Sequence, residues 1–301
     1  AGPNEVIGRL SYTRQRPDWP APVRDAAIHG YVQSLRDLPG AAVPPEVMVW
    51  LERYEPLTIV AHEDHATGEV PLFPVRSAVF GVENTWRRRE AGREGVALLR
   101  AHPRALADAW LLDPHPAVRA GYLDALDEAS EDRLDQLARH GIKRTLREPE
   151  LAPLAANAAL ATGRTAELGE VLSAVPGPYA APLLTRAGAE LDRVDRLQLL
   201  ERLLEEAEPG TAAVAMAQLY PTLAGLPSME VPAGVLLLER LGDPALGSAA
   251  ALTLARAAPQ ATLATLRELR DEGEGLAAER ARLALETRAL LTGGGNGAAL
   301  P

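Results

Sequence analysis

At 301 residues the chain is long enough to bury a substantial core, as one elongated repeat domain or as two ordinary ones. Its formal charge of -10 excludes a general nucleic-acid binder, because phosphate attraction needs a net basic face. With no Cys, it also excludes disulfides, thiolate catalysis and Cys-ligated metal clusters.

Lys143 is the only lysine, and the other basic residues are arginines. Together with the abundance of Ala, Gly and Pro, this reads as the codon bias of a GC-rich bacterial genome. The lack of Cys fits a periplasmic or secreted protein better than a cytoplasmic one, and the opening AGPNEV, without Met, fits a processed mature form or a trimmed one. The longest uncharged run, 209–229, carries Pro221, Gly225 and Pro227 and is built on Ala and Thr, so no transmembrane segment is expected.

All four Trp, both Phe and all six His lie at or before residue 140, and the remainder of the chain is mainly aliphatic. The expected division is an N-terminal helical cap over 1–101, helical repeats over 102–292 and a flexible tail over 293–301. In the cap, 22–38 and 45–54 have the spacing of two amphipathic helices, and 75–90, carrying Phe80 and Trp86, of a third. Between them lies an irregular segment, 57–74. Its β-prone runs LTIV and VPLF flank HEDHATGE, which predicts a small two-stranded excursion or an extended loop with Thr67-Gly68 at the turn.

His62 and His65 are the candidate metal ligands. Imidazoles three apart in a loop can converge, Glu63 or Asp64 can add oxygen, and a third ligand would come from afar, from His29 or His102. The competing reading is a solvated polar turn, and on that reading no metal and no cofactor is expected. Trp86-Arg87-Arg88-Arg89, with Arg93, is the candidate partner contact, since Trp and Arg both contribute strongly when desolvated. Its alternative is a helix end with a solvated Arg face and Trp86 in the N-terminal core.

After residue 101 the pattern is one of short paired helices. Residues 130–141 predict one, with Ser130 as N-cap, Leu134, Leu137 and Ala138 as apolar stripe, and Gly141 as a left-handed cap. Val194, Leu197, Leu200, Leu203, Leu204 and Ala207 mark another. Pairs start near 102, 130, 164, 193, 232 and 259, and their second helices are rich in small residues, as in LAANAALATG and SAAALTLARA.

The stretch LDPHPAVRAGYLDAL, 112–126, resembles the inter-helix turn and second helix of a HEAT-type repeat: Asp113 before Pro at the turn, then Val118-Arg119 early in the helix. LGDPAL, 241–246, is a weaker echo, and the period is closer to that of short bacterial HEAT-like repeats than to the usual ~40–47 residues. The resemblance implies an all-α solenoid of antiparallel helix pairs, with Asp113 and Arg119 as structural turn residues.

It also implies a long groove suited to non-catalytic protein binding, so the expected partner is another protein. HEAT-like hydroxylases carry several His-Glu pairs, whereas this chain has only His62-Glu63. No phosphate-binding G-x-x-x-x-G-K-[ST] and no G-x-S-x-G elbow occurs. A HEAT-like lyase or hydroxylase, a metal-dependent module centred on 60–75, and a structural component of an envelope assembly are the alternatives.

Overall fold

The Ala/Leu stripes backed by Arg/Glu faces fold, in this computed structural model, into an all-α chain, 80% helical and 2% strand. The structure describes residues 2–61, 69–145 and 147–293. The chain forms two compact units, the first running up to Ala97 and including Asp113–Ala125, the second comprising Leu98–Leu112 and the chain from Leu126 onward.

The first unit holds helices α1 (Pro3–Gln15), α2 (Ala21–Leu35) and α3 (Pro45–Glu52), most of α4 (Val75–Ala101), and α6 (Pro116–Asp124). Its core is the apolar face of each: Leu10 from α1, Ile28, Val32 and Leu35 from α2, Val47, Met48 and Leu51 from α3, and Val75, Val79 and Val82 from α4. Burying each such side chain contributes about 1.5–3 kcal/mol. Strands β1 (Ile59–Ala61) and β2 (Glu69–Pro71) pair antiparallel with Val60 opposite Val70, the two-stranded form of the 57–74 segment.

Asp25 fixes the entry to that pair. It is fully buried on α2, and its carboxylate accepts from Tyr54 Oη at 2.6 Å, from Leu57 N at 2.9 Å and from Thr58 N at 2.8 Å. A carboxylate so deep in a core is tolerated only when its lone pairs are met in this way. The cost falls partly on Tyr54, whose phenol pKa is driven well above its ordinary value by burial and then by Asp25.

Helices α4 and α6 cross closely because glycine lets them. A Cβ on Gly121 would stand 2.2 Å from the Arg88 carbonyl oxygen and 2.8 Å from Ala91 Cβ. Here small residues serve backbone approach rather than a turn.

The second unit contains α5 (Pro103–Leu112), α7 (Glu131–Thr145), α8 (Ala152–Ala161), α9 (Thr165–Ser173), α10 (Gly177–Glu190), α11 (Arg193–Glu206), α12 (Pro209–Ala224), α13 (Glu230–Glu239), α14 (Gly247–Ala257), α15 (Gln260–Glu272) and α16 (Gly275–Gly293). Helices pack in pairs, and each makes its main contacts with helices one or two places along the chain: α8 with α7, α9 and, less closely, α10, then α10 with α12, α12 with α14, α14 with α16. These even-numbered helices are the small-residue ones. In α8, Ala152, Ala155, Ala156, Ala158 and Ala159 are all buried, so neighbours approach on several sides. Hydrogen bonds stitch successive helices over separations of a few tens of residues: Arg186 to Asn157 spans 29, Arg144 to Asp108, Arg202 to the Ala166 carbonyl and buried Thr211 to the Val175 carbonyl each span 36, and Trp110 to the Glu150 carbonyl spans 40.

Two local expectations are corrected. Gly141 is not the end of a helix: α7 continues to Thr145, and Gly141 is buried against α8, where a Cβ would meet Ala155 Cβ at 2.6 Å. A glycine after an apolar stripe has the signature of a left-handed cap, but here packing claims it. Val194 is exposed, and Leu199 takes the buried position instead, because Asp192 caps α11 by accepting from Val194 N and Asp195 N, which leaves the first turn outside the core.

Candidate partner-binding site

Trp86 lies two helical turns beyond Val79 on α4 and is half-buried beside the first unit's core. Its indole N–H donates to the Leu35 carbonyl at 3.2 Å, and its ring lies over Gly40, where an added Cβ would touch it at 3.2 Å. The ring therefore forms a fixed wall where the 37–41 segment meets α4.

The three arginines after Trp86 point to different tasks. Arg88 forks onto Asp124 of α6 at 2.5 and 2.6 Å, and that bond raises its pKa. Arg89 donates to the Arg36 carbonyl at 2.6 Å and stands 3.6 Å from Asp37. Both are committed to intramolecular partners. Arg87 and Arg93 are exposed and, among the described residues, form no ion pair.

These side chains border an open groove of ≈ 590 Å³ between α4 and the 37–41 segment. Trp86 and Leu38 supply apolar surface, Arg87 and Arg93 supply guanidinium forks, and Glu83 and Glu90 supply carboxylates. No Ser, Thr or His borders it, so what the groove offers is stacking, ion pairing and fork-shaped hydrogen bonding.

Asp113 sits in the turn before α6 and Arg119 in the first turns of α6 itself. Asp113 Oδ1 accepts from His115 N at 2.8 Å, and Arg119 Nε donates to the Asp113 carbonyl at 3.3 Å. The echo at Asp243 repeats the chemistry: its carboxylate accepts from Ala245 N and Leu246 N, which lowers its pKa, and its carbonyl accepts from Arg280, a guanidinium supplied by α16.

His62 and His65 lie outside the described residues. The two distant histidines considered with them have local partners: His29 packs against Phe73 at 5.9 Å between ring centroids, and His102 Nδ1 accepts from Arg104 N at 3.2 Å. Among the described residues no group of three His, Asp or Glu is arranged to hold a metal ion, and no helix is long and apolar enough to cross a membrane.

Sequence reasoning missed two things. One is Asp25. The other is that His102 and His115, each before a Pro, cap α5 and α6 through Nδ1, His115 accepting from Ala117 N at 3.2 Å. The twice-repeated His-Pro dipeptide was the available signal. No family model, no curated protein and no solved structure matches this chain.

Proposed function

We propose that the protein is a non-catalytic binding scaffold, a HEAT-like solenoid of antiparallel helix pairs with an N-terminal helical cap. The observation that carries this reading is the neighbour-by-neighbour packing of small-residue helices, stitched by hydrogen bonds that reach from 29 residues along the chain, as in Arg186 to Asn157, to 40, as in Trp110 to the Glu150 carbonyl. Such an array buries its core between successive pairs and leaves extended surface for a partner.

The partner contact is the Trp86 groove. Its occupant is a protein segment that places an apolar side chain on Trp86 and Leu38 and a carboxylate between Arg87 and Arg93. Aromatic and arginine side chains at a fixed wall are the kind of group on which binding energy concentrates.

The test is affinity capture from native lysate with the wild-type protein and with Arg87→Glu/Arg93→Glu. Both arginines are exposed, so the variant is expected to fold. One defined partner should be retained by the wild type and lost, by at least tenfold, in the variant. A partner held equally by both would remove the groove from the proposal. If the bait held no protein and instead turned over a small molecule, the scaffold reading would be wrong.

A further inference from the structure

Helix α7 carries a second pattern interleaved with its apolar stripe. Gln136, Arg139, His140 and Lys143 fall at i, i+3, i+4 and i+7, so they share one face of the helix. That face meets the start of α5, where His102 and Arg104 stand, and the six side chains with Pro103 line an open pocket of ≈ 300 Å³. The chain's only lysine is there, together with two arginines and two of the six histidines, and no carboxylate lines the pocket.

The charges are unevenly spent. Arg144, the next basic residue on α7, is neutralised twice, by Glu148 at 2.6 Å and Asp108 at 2.5 Å. Arg139 shares Asp135 with Arg164. Arg104 and Lys143 form no ion pair among the described residues. His102 uses Nδ1 to accept from Arg104 N, which leaves Nε2 as the N–H donor of the neutral ring. His140 is pushed below the ordinary imidazole value by burial and then by Arg144 and Arg104, against the smaller opposing pull of the Asp108 carboxylate. Beyond Arg139 and Lys143 lies a neighbouring cavity of ≈ 350 Å³ bordered by Ile142, Ala174, Glu167 and Glu170, and Glu167 is bonded to Arg164 at 2.6 Å.

We propose that this pocket is a binding site for a small phosphate monoester, with Arg104, Arg139 and Lys143 closing on the phosphoryl oxygens and Gln136 and His102 donating hydrogen bonds beside them. Two guanidinium forks and one ammonium match a dianion with several acceptor oxygens, whereas a single carboxylate would leave cations unmatched. The volume exceeds that of a bare phosphate and lies at the lower end of the range for small-ligand sites. The lining offers no Phe, Tyr or Trp on which a nucleobase could stack, which favours a small ester over a single-stranded nucleic acid. This site lies in the second unit and does not depend on the scaffold reading.

The test titrates glycerol 3-phosphate, inorganic phosphate and glycerol into the full-length protein at pH 7 and low salt, by calorimetry. Glycerol 3-phosphate should bind with a dissociation constant below about 1 mM, the affinity of a few charge-assisted contacts, inorganic phosphate more weakly, and glycerol not at all. Arg104→Gln/Lys143→Gln should weaken the monoester at least tenfold, while Arg270→Gln, at an exposed position of α15, should leave it unchanged. Because the chain has one lysine, reductive ¹³C-methylation supplies a single lysine side-chain resonance, which should shift with the monoester in the wild-type protein, whatever the variants do. No heat and no shift would overturn the proposal. So would equal affinity for inorganic phosphate, or tight binding of single-stranded RNA by a protein that ignores the monoester.

Discussion

Asp25 and Asp113 do the same thing at different depths: each carboxylate holds backbone N–H groups where the chain leaves a helix or enters one. Asp25→Ala strands a buried phenol and two backbone donors together, so it should cost about 3 kcal/mol, read as the change in urea unfolding free energy. Asp25→Asn, which keeps acceptor oxygen, should cost less. Asp113→Ala removes one partly exposed turn bond and should cost about 1 kcal/mol. If it left the melting temperature unchanged but weakened partner capture, Asp113 would be a contact residue instead. The second aspartate was legible in sequence because Asp-Pro-His-Pro announces a turn. The first was not: a lone Asp in VRDAAIH has the look of a solvated helix face, and the groups that bury it lie 29–33 residues away.

At the scale of elements, glycine decides which helices touch. Gly121→Ala would drive a methyl group into the Arg88 carbonyl, and the resulting shift of α6 against α4 should cost about 2 kcal/mol in thermal or urea unfolding. Gly8→Ala in α1, where the added carbon meets nothing within 4 Å, should instead gain up to about 1 kcal/mol from helix propensity. Equal effects of the two substitutions would show that propensity, not crossing distance, governs these sites. The helices themselves were largely readable from their 3.6-residue spacing, yet α1 was not, because PNEVIGRLSYTRQ buries only Leu10 deeply and so carries little stripe to see. The cationic face of α7 was equally hidden. Its members alternate with Leu134, Leu137 and Ala138, so in sequence they pass for the polar side of an ordinary amphipathic helix, and only the arrival of His102 and Arg104 makes them a pocket.

For the whole molecule, tyrosine rather than lysine sets the alkaline limit. Burial pushes the phenols of Tyr220 and Tyr122 up to about 12, with Glu94 adding to the second, and Tyr54 is raised as well. Their unfolded value is about 10, so the fold favours the protonated phenol. That stability is fully present below pH ~10 and is lost as pH rises through about 12. With a single lysine to titrate in the same window, urea midpoints should fall as pH rises from about 10 to about 12, and Tyr220→Phe should flatten the fall. A flat profile in the wild type would mean these phenols ionise in place. The contact pattern of the second unit has a kinetic side too. Since α16 leans mainly on α14, α15 and the 240–242 turn, it can detach without disturbing α8, and amide hydrogen exchange should be fastest in α16 and slowest around α8 and α10. Ties that reach only one or two helices along the chain also shorten the search for native contacts, so this unit should refold quickly, in separable steps that spread outward from wherever the first pair forms.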